Sequence, residues 1–593
     1  MVRVADYIME KLIEQGVNHI FMVTGRGVLY LSDAAAKAEG ITPVSMHHEQ
    51  ACAYAASAYS SYNGKLGACL VSTGCAGTNA LTSVLCAWQD GVPMAVISGQ
   101  NTLKETSRYS GIPLRTWGQQ EADIVSLAEP ITKYAVMLTD ASRAVYETEK
   151  ALYLAQSGRK GPVWIDVPLD IQNMRIEPEQ QEHFVPDEFF SNASEEDITY
   201  VVEILSSAQR PVVLIGGGIR SANACGELKA FVEKNNIPVV YSTSAADTYG
   251  YDNDLCAGSV GMMACSRSGC FAVQNADLVL VLGNRLSPMT TGPEYGKFAR
   301  EAKVVVIDID SVEHSKNTVR IDRLIISDVK NFLNRINDCH INGERSEWVE
   351  KCRHWKEIVP LCEDIRRTSE KIDLYRLAEA LSDALPDDAV LLSDAGLEEL
   401  IIPANVVFSG NRRCVHPSSQ GAMGYALPAA VGAYYSSGKP VVAVIGDGSV
   451  MMNLQELATV AFNKIPIKIL VINNNVYSVI RKRQKELFRT RTVGTDPGNG
   501  VGTPGFGKVA ECFGLKYVHI SDDNELEQKL IGIFAEEEPM ICEIDGVEEQ
   551  DYNACAVART SEKRFVQRPL EDQAPFMDRE LFLSEMIVEP IDQ

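Results

Sequence analysis

Several things are missing from this chain of 593 residues, and each absence excludes a class of protein. No apolar run approaches the roughly 18–20 residues that a membrane-spanning helix needs. The N-terminus, MVRVADYIMEKLIEQGV, sets charged and apolar residues at helical spacing, unlike a signal peptide. The fifteen cysteines include no CxxC pair and stand beside no histidine cluster, which excludes a zinc module. Their odd number in a large chain reads as reduced, buried thiols in a cytoplasmic protein. Cys75 and Cys86, close to glycine-rich turns, are assigned to core packing. Basic residues are outnumbered, 55 against 79 acidic ones, for a net charge of -24. An extended phosphate backbone is therefore not the partner. There is no GxGxxG with a ribose-binding acid about 20 residues on, no short-period repeat and no low-complexity segment.

What is present is 46% hydrophobic and 23% charged residues, an ordinary globular balance, in a length that suits about three or four domains. Short β-branched runs alternate with helix-period stretches, predicting an α/β protein built from doubly wound, parallel sheets. The first unit, 1–185, has a helix over Val2–Gln15 and strands at His19–Val23, Thr42–Met46, Lys65–Ser72 and Pro93–Ser98. A helix begins at Ala51, and the unit closes with Gly161–Pro168. Glu177–Ser194, acidic and proline-containing, reads as a linker. The central unit, 195–340, carries strands at Val212–Ile215, Pro238–Ser242, Leu278–Gly283 and Val304–Asp310. Gly343–Thr368 is a helical connector, and a third unit covers 372–550. Residues 557–593 read as a wrapping arm rather than a domain. The first and third units share size and pattern, as two related domains flanking a different one would.

The most informative stretch is Lys439–Asn475. Val441–Ile445 reads as a buried strand broken by Gly446-Asp447-Gly448. Asn453, with Glu456 three residues on, is placed to cap a helix. A second buried strand, Ile467–Ile472, ends at Asn473-Asn474-Asn475. Ligands sit at the carboxyl ends of strands in an open parallel sheet. Asp447 and Asn474 therefore face one crevice as hard oxygen ligands, suited to Mg²⁺ or Ca²⁺ bound with a phosphate-bearing cofactor.

GDG followed some two dozen residues later by NN is the thiamine-diphosphate motif, and GDGS-x-MMN-x-QELATV closely resembles the acetolactate synthase family. The resemblance implies three doubly wound domains, namely pyrimidine-binding, central and diphosphate-binding, with a C-terminal arm. It implies thiamine diphosphate and Mg²⁺, the metal held by Asp447, Asn474 and the backbone carbonyl of Val476, with Gly446, Gly448 and Ser449 around the diphosphate. Glu49, in His48-Glu49-Gln50, matches the glutamate that hydrogen-bonds N1′ of the aminopyrimidine, so that N4′ can remove the C2 proton. Gln420-Gly421-Ala422-Met423 matches the element that sets a methionine beneath the thiazolium. Ser393 and Gly396 are implied to approach the diphosphate. Gly74, Asn79 and Gln100 match positions on the substrate side, where Gln100 would steer the acceptor. Gln119–Asp123 matches a structural turn.

In the central unit, Gly216-Gly217-Gly218 alone is too short for a dinucleotide fingerprint. The order of Gly258–Met262, Ala272–Asp277, Gly283-Asn284-Arg285 and Asp308–Asp310 nevertheless follows the family's FAD-binding domain. A structural FAD, contacted by Arg285 and Asp308, is thereby implied, although Leu286-Ser287-Pro288-Met289 breaks the pattern. In this family the two halves of a site come from different subunits, which implies a homodimer or homotetramer.

The implied reaction is decarboxylation of a 2-oxoacid, pyruvate, and ligation of the two-carbon unit to an acceptor carbonyl. One departure bears on the acceptor. About ten residues after the NN, where the family has a tryptophan, this chain has Arg483, within Arg481-Lys482-Arg483. Such cations suit a phosphorylated or carboxylated acceptor; the plain alternative is a solvated helix end. This segment, Asp496–Gly507 and PLEDQAPF resemble a subgroup associated with sugar-nucleotide modification, making a keto-sugar nucleotide the alternative acceptor. A flavin or nicotinamide oxidoreductase and a non-catalytic homologue are the rival classes. The joint presence of Glu49, Asp447 and Asn474 argues against the latter.

Overall fold

Eighteen strands form three six-stranded sheets in which every pairing is parallel, and two short antiparallel pairs, Val2–Arg3 with Arg175–Ile176 and Val557–Arg559 with Phe565–Gln567, stand apart from them. They are seen in a computed structural model that describes residues 1–186, 192–362, 371–560 and 564–592. Parts of the expected linker, connector and arm lie outside those residues. The first sheet holds β1 (His19–Met22), β2 (Thr42–Ser45), β3 (Gly67–Val71), β4 (Met94–Gln100), β5 (Tyr134–Met137) and β6 (Pro162–Pro168). The central sheet holds β7 (Pro211–Ile215), β8 (Val239–Tyr241), β9 (Cys256–Ser259), β10 (Leu278–Leu282), β11 (Lys303–Asp308) and β12 (Arg323–Ile326). The third holds β13 (Val390–Ser393), β14 (Arg413–Val415), β15 (Val441–Gly446), β16 (Lys468–Asn473), β17 (Lys516–Ile520) and β18 (Met540–Asp545). Strands such as Leu278–Leu282 are buried at every position, which is why they read as unbroken apolar runs.

Strand order separates the sheets into two kinds. The first runs β2-β1-β3-β4-β6-β5 and the third β14-β13-β15-β16-β18-β17, the same sequence of positions. The central sheet runs β9-β8-β7-β10-β11-β12, the doubly wound order of dinucleotide-binding folds. The central order reverses direction once and the other two reverse again at their last pair; crevices form at the first reversal. In the third sheet this falls between β13 and β15, and in the central sheet between β7 and β10.

Six helices matter below: α1 (Glu49–Asn63), α2 (Cys75–Asp90), α3 (Leu397–Asn405), α4 (Ala426–Ser437), α5 (Glu456–Asn463) and α6 (Ser478–Phe488). α1 follows the second strand of the first sheet, and α4 follows the second strand of the third. These corresponding helices pack on each other through small residues. A Cβ on Gly432 would fall 1.9 Å from the Ala55 carbonyl oxygen, so the contact requires glycine. One hydrophobic core runs through both, from Ala51 and Ala55 to Ala429 and Val431. Arg413 ties all three sheets together: its Nε lies 2.6 Å from buried Asp247, and its Nη1 donates to Tyr62 O at 2.7 Å.

The C-terminal segment lies along the central sheet's layer. Arg300 pairs with Glu571 at 2.7 Å, Gln573 Nε2 donates to Gly261 O at 2.8 Å, and Trp355 Nε1 donates to Glu585 at 2.9 Å. Three expectations change. The helix expected from Ala51 starts two residues earlier, at Glu49, with His48 Nδ1 as its cap accepting from Gln50 N at 3.1 Å. Asn453 does not cap α5; its side chain turns away to Gln50 and Gly424. None of the fifteen cysteines forms a disulfide; Cys86 is buried, but Cys75 is exposed and so is not core. Among the described residues, no helix is long and apolar enough to cross a membrane.

Candidate active site

β13 and β15 lie side by side in the third sheet, Ser393 opposite Val444, so the loops after both strands open onto one crevice. Ser393 is fully buried, and its hydroxyl has no hydrogen-bond partner. Gly396 (φ 95°) occupies a backbone region closed to other L residues. Asp394, which sequence reasoning passed over, is the anchor of this corner. Its carboxylate accepts from Ala395 N at 2.8 Å, Gly424 N at 3.0 Å and Ala426 N at 2.7 Å. It thereby pins the Gln420–Gly424 loop, with half-buried Met423, to the end of β13. Gln420 itself is exposed, and Gly421 (φ 54°) faces the Glu399 carboxylate.

Asp447 follows β15 and Asn474 follows the adjacent β16, and both are buried. Asp447 accepts from Gly448 N at 2.7 Å and from Asn475 N at 2.8 Å, so it spans the two strand ends. Asn474 accepts from Val476 N at 3.1 Å and donates to Ser478 Oγ at 3.3 Å. Burial pushes the Asp447 carboxyl up to about 6, with those two amides working against it. A small gap beside Asp447 is lined by Gly448, Val476, Tyr477, Thr495 and Thr503, and the Thr503 hydroxyl has no partner. The Tyr477 ring packs on Gly448, where a Cβ would fall 2.0 Å from it.

Two more acids were missed because Leu397-Glu398-Glu399 reads as an ordinary helix start. Glu398 is buried beside Gly396 and Gly446, and burial raises it to about 8. Glu399 is raised to about 8 as well, by burial and then by Asp90 and Asp394.

The remaining expected residues divide. Glu49 opens α1, is partly exposed, and accepts from Asn79 Nδ2 at 2.9 Å. Gly74 (φ 64°) lets the loop before α2 approach the 119–123 turn: a Cβ there would be 1.7 Å from Gln120 O. Gln100, expected on the substrate side, packs inside the first unit. It is 2% exposed, and its amide donates to Ala122 O at 3.0 Å and lies 3.4 Å from Asp166. Its β-strand neighbours bury it as a strut for that turn. Arg481 and Arg483 are not open cations either. Arg481 is 9% exposed and lies 3.6 Å from Asp496, 3.5 Å from Glu548 and 3.3 Å from Glu549. Arg483 is exposed and pairs with Glu486 one helical turn on at 3.0 Å. Glu548 and Glu549, which neutralise Arg481, lie far along the chain, which is why a local reading could not find them.

A cavity of about 470 Å³ opens at the reversal point of the central sheet. Gly217, Asn284, Arg285 and Asp308 line it from the central sheet, Arg159 from the first unit and Ser419 from the third. Gly216 and Gly218 allow the loops after β7 and β10 to touch, a Cβ on Gly218 falling 2.7 Å from Gly283 Cα. Arg159 is committed to Asp310 and Glu313 at 2.8 and 2.9 Å. The Arg285 guanidinium is held loosely, 3.5 Å from Ser419 Oγ and 4.0 Å from Glu313. Asp308 accepts from Asp310 N at 2.9 Å.

The donor set therefore fits the expected groups. Carboxylate, amide and backbone oxygens at two adjacent strand ends are hard ligands of the kind Mg²⁺ takes. The unpartnered hydroxyls of Ser393 and Thr503 have buried donors to give to a diphosphate. Among the described residues there is no cluster of three His, Cys, Asp or Glu that would form a different metal centre.

Comparison with known proteins agrees with this geometry. Residues 2–127, 198–336 and 394–544 match the thiamine pyrophosphate enzyme N-terminal TPP binding domain, central domain and C-terminal TPP binding domain in turn. The chain is a thiamine-diphosphate-dependent enzyme. It is 29% identical to the acetolactate synthase large subunit of Haemophilus influenzae over 92% of this chain and 95% of that protein. It is 30% identical to that of Lactococcus lactis, over 91% and 92%, and to the isozyme 3 large subunit of Escherichia coli, over 89% and 91%. The chain belongs to the acetolactate synthase large-subunit family, whose chemistry is decarboxylation followed by carboligation.

Proposed function

We propose that the enzyme decarboxylates pyruvate and joins the two-carbon unit to the carbonyl of a second 2-oxoacid. The observation that carries this is the arrangement of Asp447, Asn474 and Val476 at adjacent strand ends, facing the buried Ser393 corner. Asp447, Asn474 and the Val476 carbonyl would hold Mg²⁺, and Ser393, Gly396, Gly446, Gly448 and Ser449 would surround the diphosphate. Bound thiamine diphosphate supplies the electron sink that a 2-oxoacid needs to lose CO₂. Glu49 would hold a hydrogen bond to N1′ of the aminopyrimidine, the contact that lets the bound cofactor act as its own base. Met423, whose loop Asp394 holds through Gly424 N and Ala426 N, would pack against the bound cofactor. Asn79 orients the Glu49 carboxylate through the bond at 2.9 Å.

The assembly in this proposal is a homodimer or homotetramer whose sites lie between subunits. Partly exposed Glu49 and the exposed Met451, Met452, Phe462 and Ile480 support it, since those apolar residues lie in or beside the metal-binding stretch. The central cavity is a nucleotide site, with FAD as its occupant, Asp308 and Arg285 as contacts, and a structural role. The location is cytoplasmic, in keeping with fifteen cysteines that form no disulfide. The domain limits are 1–185, 195–340 and 372–550, with an arm over 557–593; the three sheets fall inside them.

The alternative, a keto-sugar nucleotide acceptor, rested on the Arg481–Arg483 run and on the resemblance of that segment, Asp496–Gly507 and PLEDQAPF to one subgroup; the pairing of Arg481 and Arg483 with acids weakens the first of these grounds. Purified protein is incubated with thiamine diphosphate, Mg²⁺ and pyruvate, with and without keto-sugar nucleotides, and products are read by mass spectrometry. Acetolactate as the sole product is expected. A sugar adduct formed in preference to it would overturn the acceptor assignment.

A further inference from the structure

The stretch that carries Asp447 does not end its work at the metal. Two side chains downstream, Asn453 and Glu456, are both fully buried, yet neither faces the metal crevice. Both reach across to the first unit of the same chain, at the loop that delivers Glu49. The Glu456 carboxylate accepts from His47 N, with its two oxygens at 3.2 and 3.4 Å, and from Thr459 Oγ1 at 2.7 Å. Burial pushes this carboxyl up, and the Thr459 hydroxyl and the amides of His47 and His48 work against that. Asn453 Nδ2 donates to Gln50 Oε1 at 3.2 Å and to Gly424 O at 2.9 Å. Glu49 is therefore bracketed. The backbone just before it is held by Glu456, and the side chain just after it by Asn453, which also grips the residue following Met423.

A buried carboxylate is a costly way to hold a backbone amide unless its position matters, because a buried charge needs several donors to be tolerated. An apolar side chain would fill the same space. We propose that Glu456 and Asn453 are positioning residues that fix the Glu49 loop, so that the segment binding one cofactor's metal also orients the acid that activates a cofactor. Where sites lie between subunits, that second cofactor is the partner's. The inference rests on the reading of Glu49 as the activating acid.

The test uses full-length Glu456→Gln and Asn453→Ala proteins, with Thr459→Val as a milder variant that removes only one hydroxyl. Backbone amide exchange is first followed without cofactor in the peptide covering residues 46–52. Exchange about tenfold faster in that peptide, with other peptides unchanged, is expected of Glu456→Gln and Asn453→Ala. With thiamine diphosphate, Mg²⁺ and pyruvate, kcat is expected to fall about tenfold or more, while KM stays within about threefold. Unchanged exchange at 46–52, or faster exchange with unaltered kcat, would overturn the proposal. If Glu456→Gln fails to fold, Thr459→Val is read by the same two measurements at smaller amplitude. A Glu49→Gln protein separates the two readings. It keeps protection at 46–48 while losing C2 proton exchange; if it keeps C2 exchange, the role of Glu49 fails and the bracket does not.

Discussion

Asp166 shows how much chemistry a buried side chain can conceal. It sits at the end of β6, 1% exposed, accepting from Ser98 Oγ at 2.6 Å, with Gln100 Nε2 at 3.4 Å. Burial pushes its carboxyl from an ordinary value near 4 up to about 7, against those two donors. The folded protein thus binds a proton there that the unfolded chain has released. Stability from this group is fully present below about pH 4 and is lost as pH rises toward about 7. Melting followed across pH 4.5–7.5 is expected to show a fall, and Asp166→Asn is expected to flatten it. A slope unchanged by the substitution would refute the assignment. Glu49 makes a second residue-scale prediction. Glu49→Gln is expected to slow hydrogen–deuterium exchange at C2 of bound thiamine diphosphate by about 100-fold or more, the range of general acid–base effects. Exchange as fast as in the wild type would rule Glu49 out.

At the scale of elements, the α1–α4 contact makes a sharp prediction because it is backbone against backbone. Gly432→Ala places a methyl group where the Ala55 carbonyl already lies, and the helices can only separate. Overpacking of this kind costs about 1–3 kcal/mol, and urea unfolding with an unchanged slope but a lower midpoint would measure it. The elements also show what the amino-acid string discloses. Buried parallel strands such as Val441–Gly446 announce themselves as β-branched runs ended by glycine, and GDG with NN fixes which strand ends face each other. The edge strands Arg413–Val415 and Lys516–Ile520 carry no such pattern, because the first is only three residues long and Lys516 and His519 interrupt the second. Gln100, Arg481 and Glu456 were illegible for a shared reason. Each is defined by a partner distant along the chain, Asp166, Glu548 and His47 respectively, and residue type alone does not reveal it.

For the whole molecule, the decisive question is whether Glu49 and Asp447 of one site come from one chain or two. Glu49→Gln and Asp447→Ala proteins are each expected to be inactive. If sites are shared, mixing and re-equilibrating them creates hybrid dimers with one intact site, and roughly a quarter of wild-type activity returns at equal ratio. If each chain completed its own site, every site would remain damaged and no activity would return.

The matching strand orders of the first and third sheets have a further consequence, for stoichiometry. Two sheets of one design sit in each chain, joined through corresponding helices, but only the third ends its third and fourth strands in Asp447 and Asn474. The corresponding strand ends of the first sheet are Ser72-Thr73-Gly74 after β3 and Asn101-Thr102 after β4, which carry no carboxylate. Duplicated architecture thus carries an unduplicated charge pattern. Titration calorimetry with Mg²⁺ present is expected to saturate at about one thiamine diphosphate per chain, whatever the number of chains in the assembly.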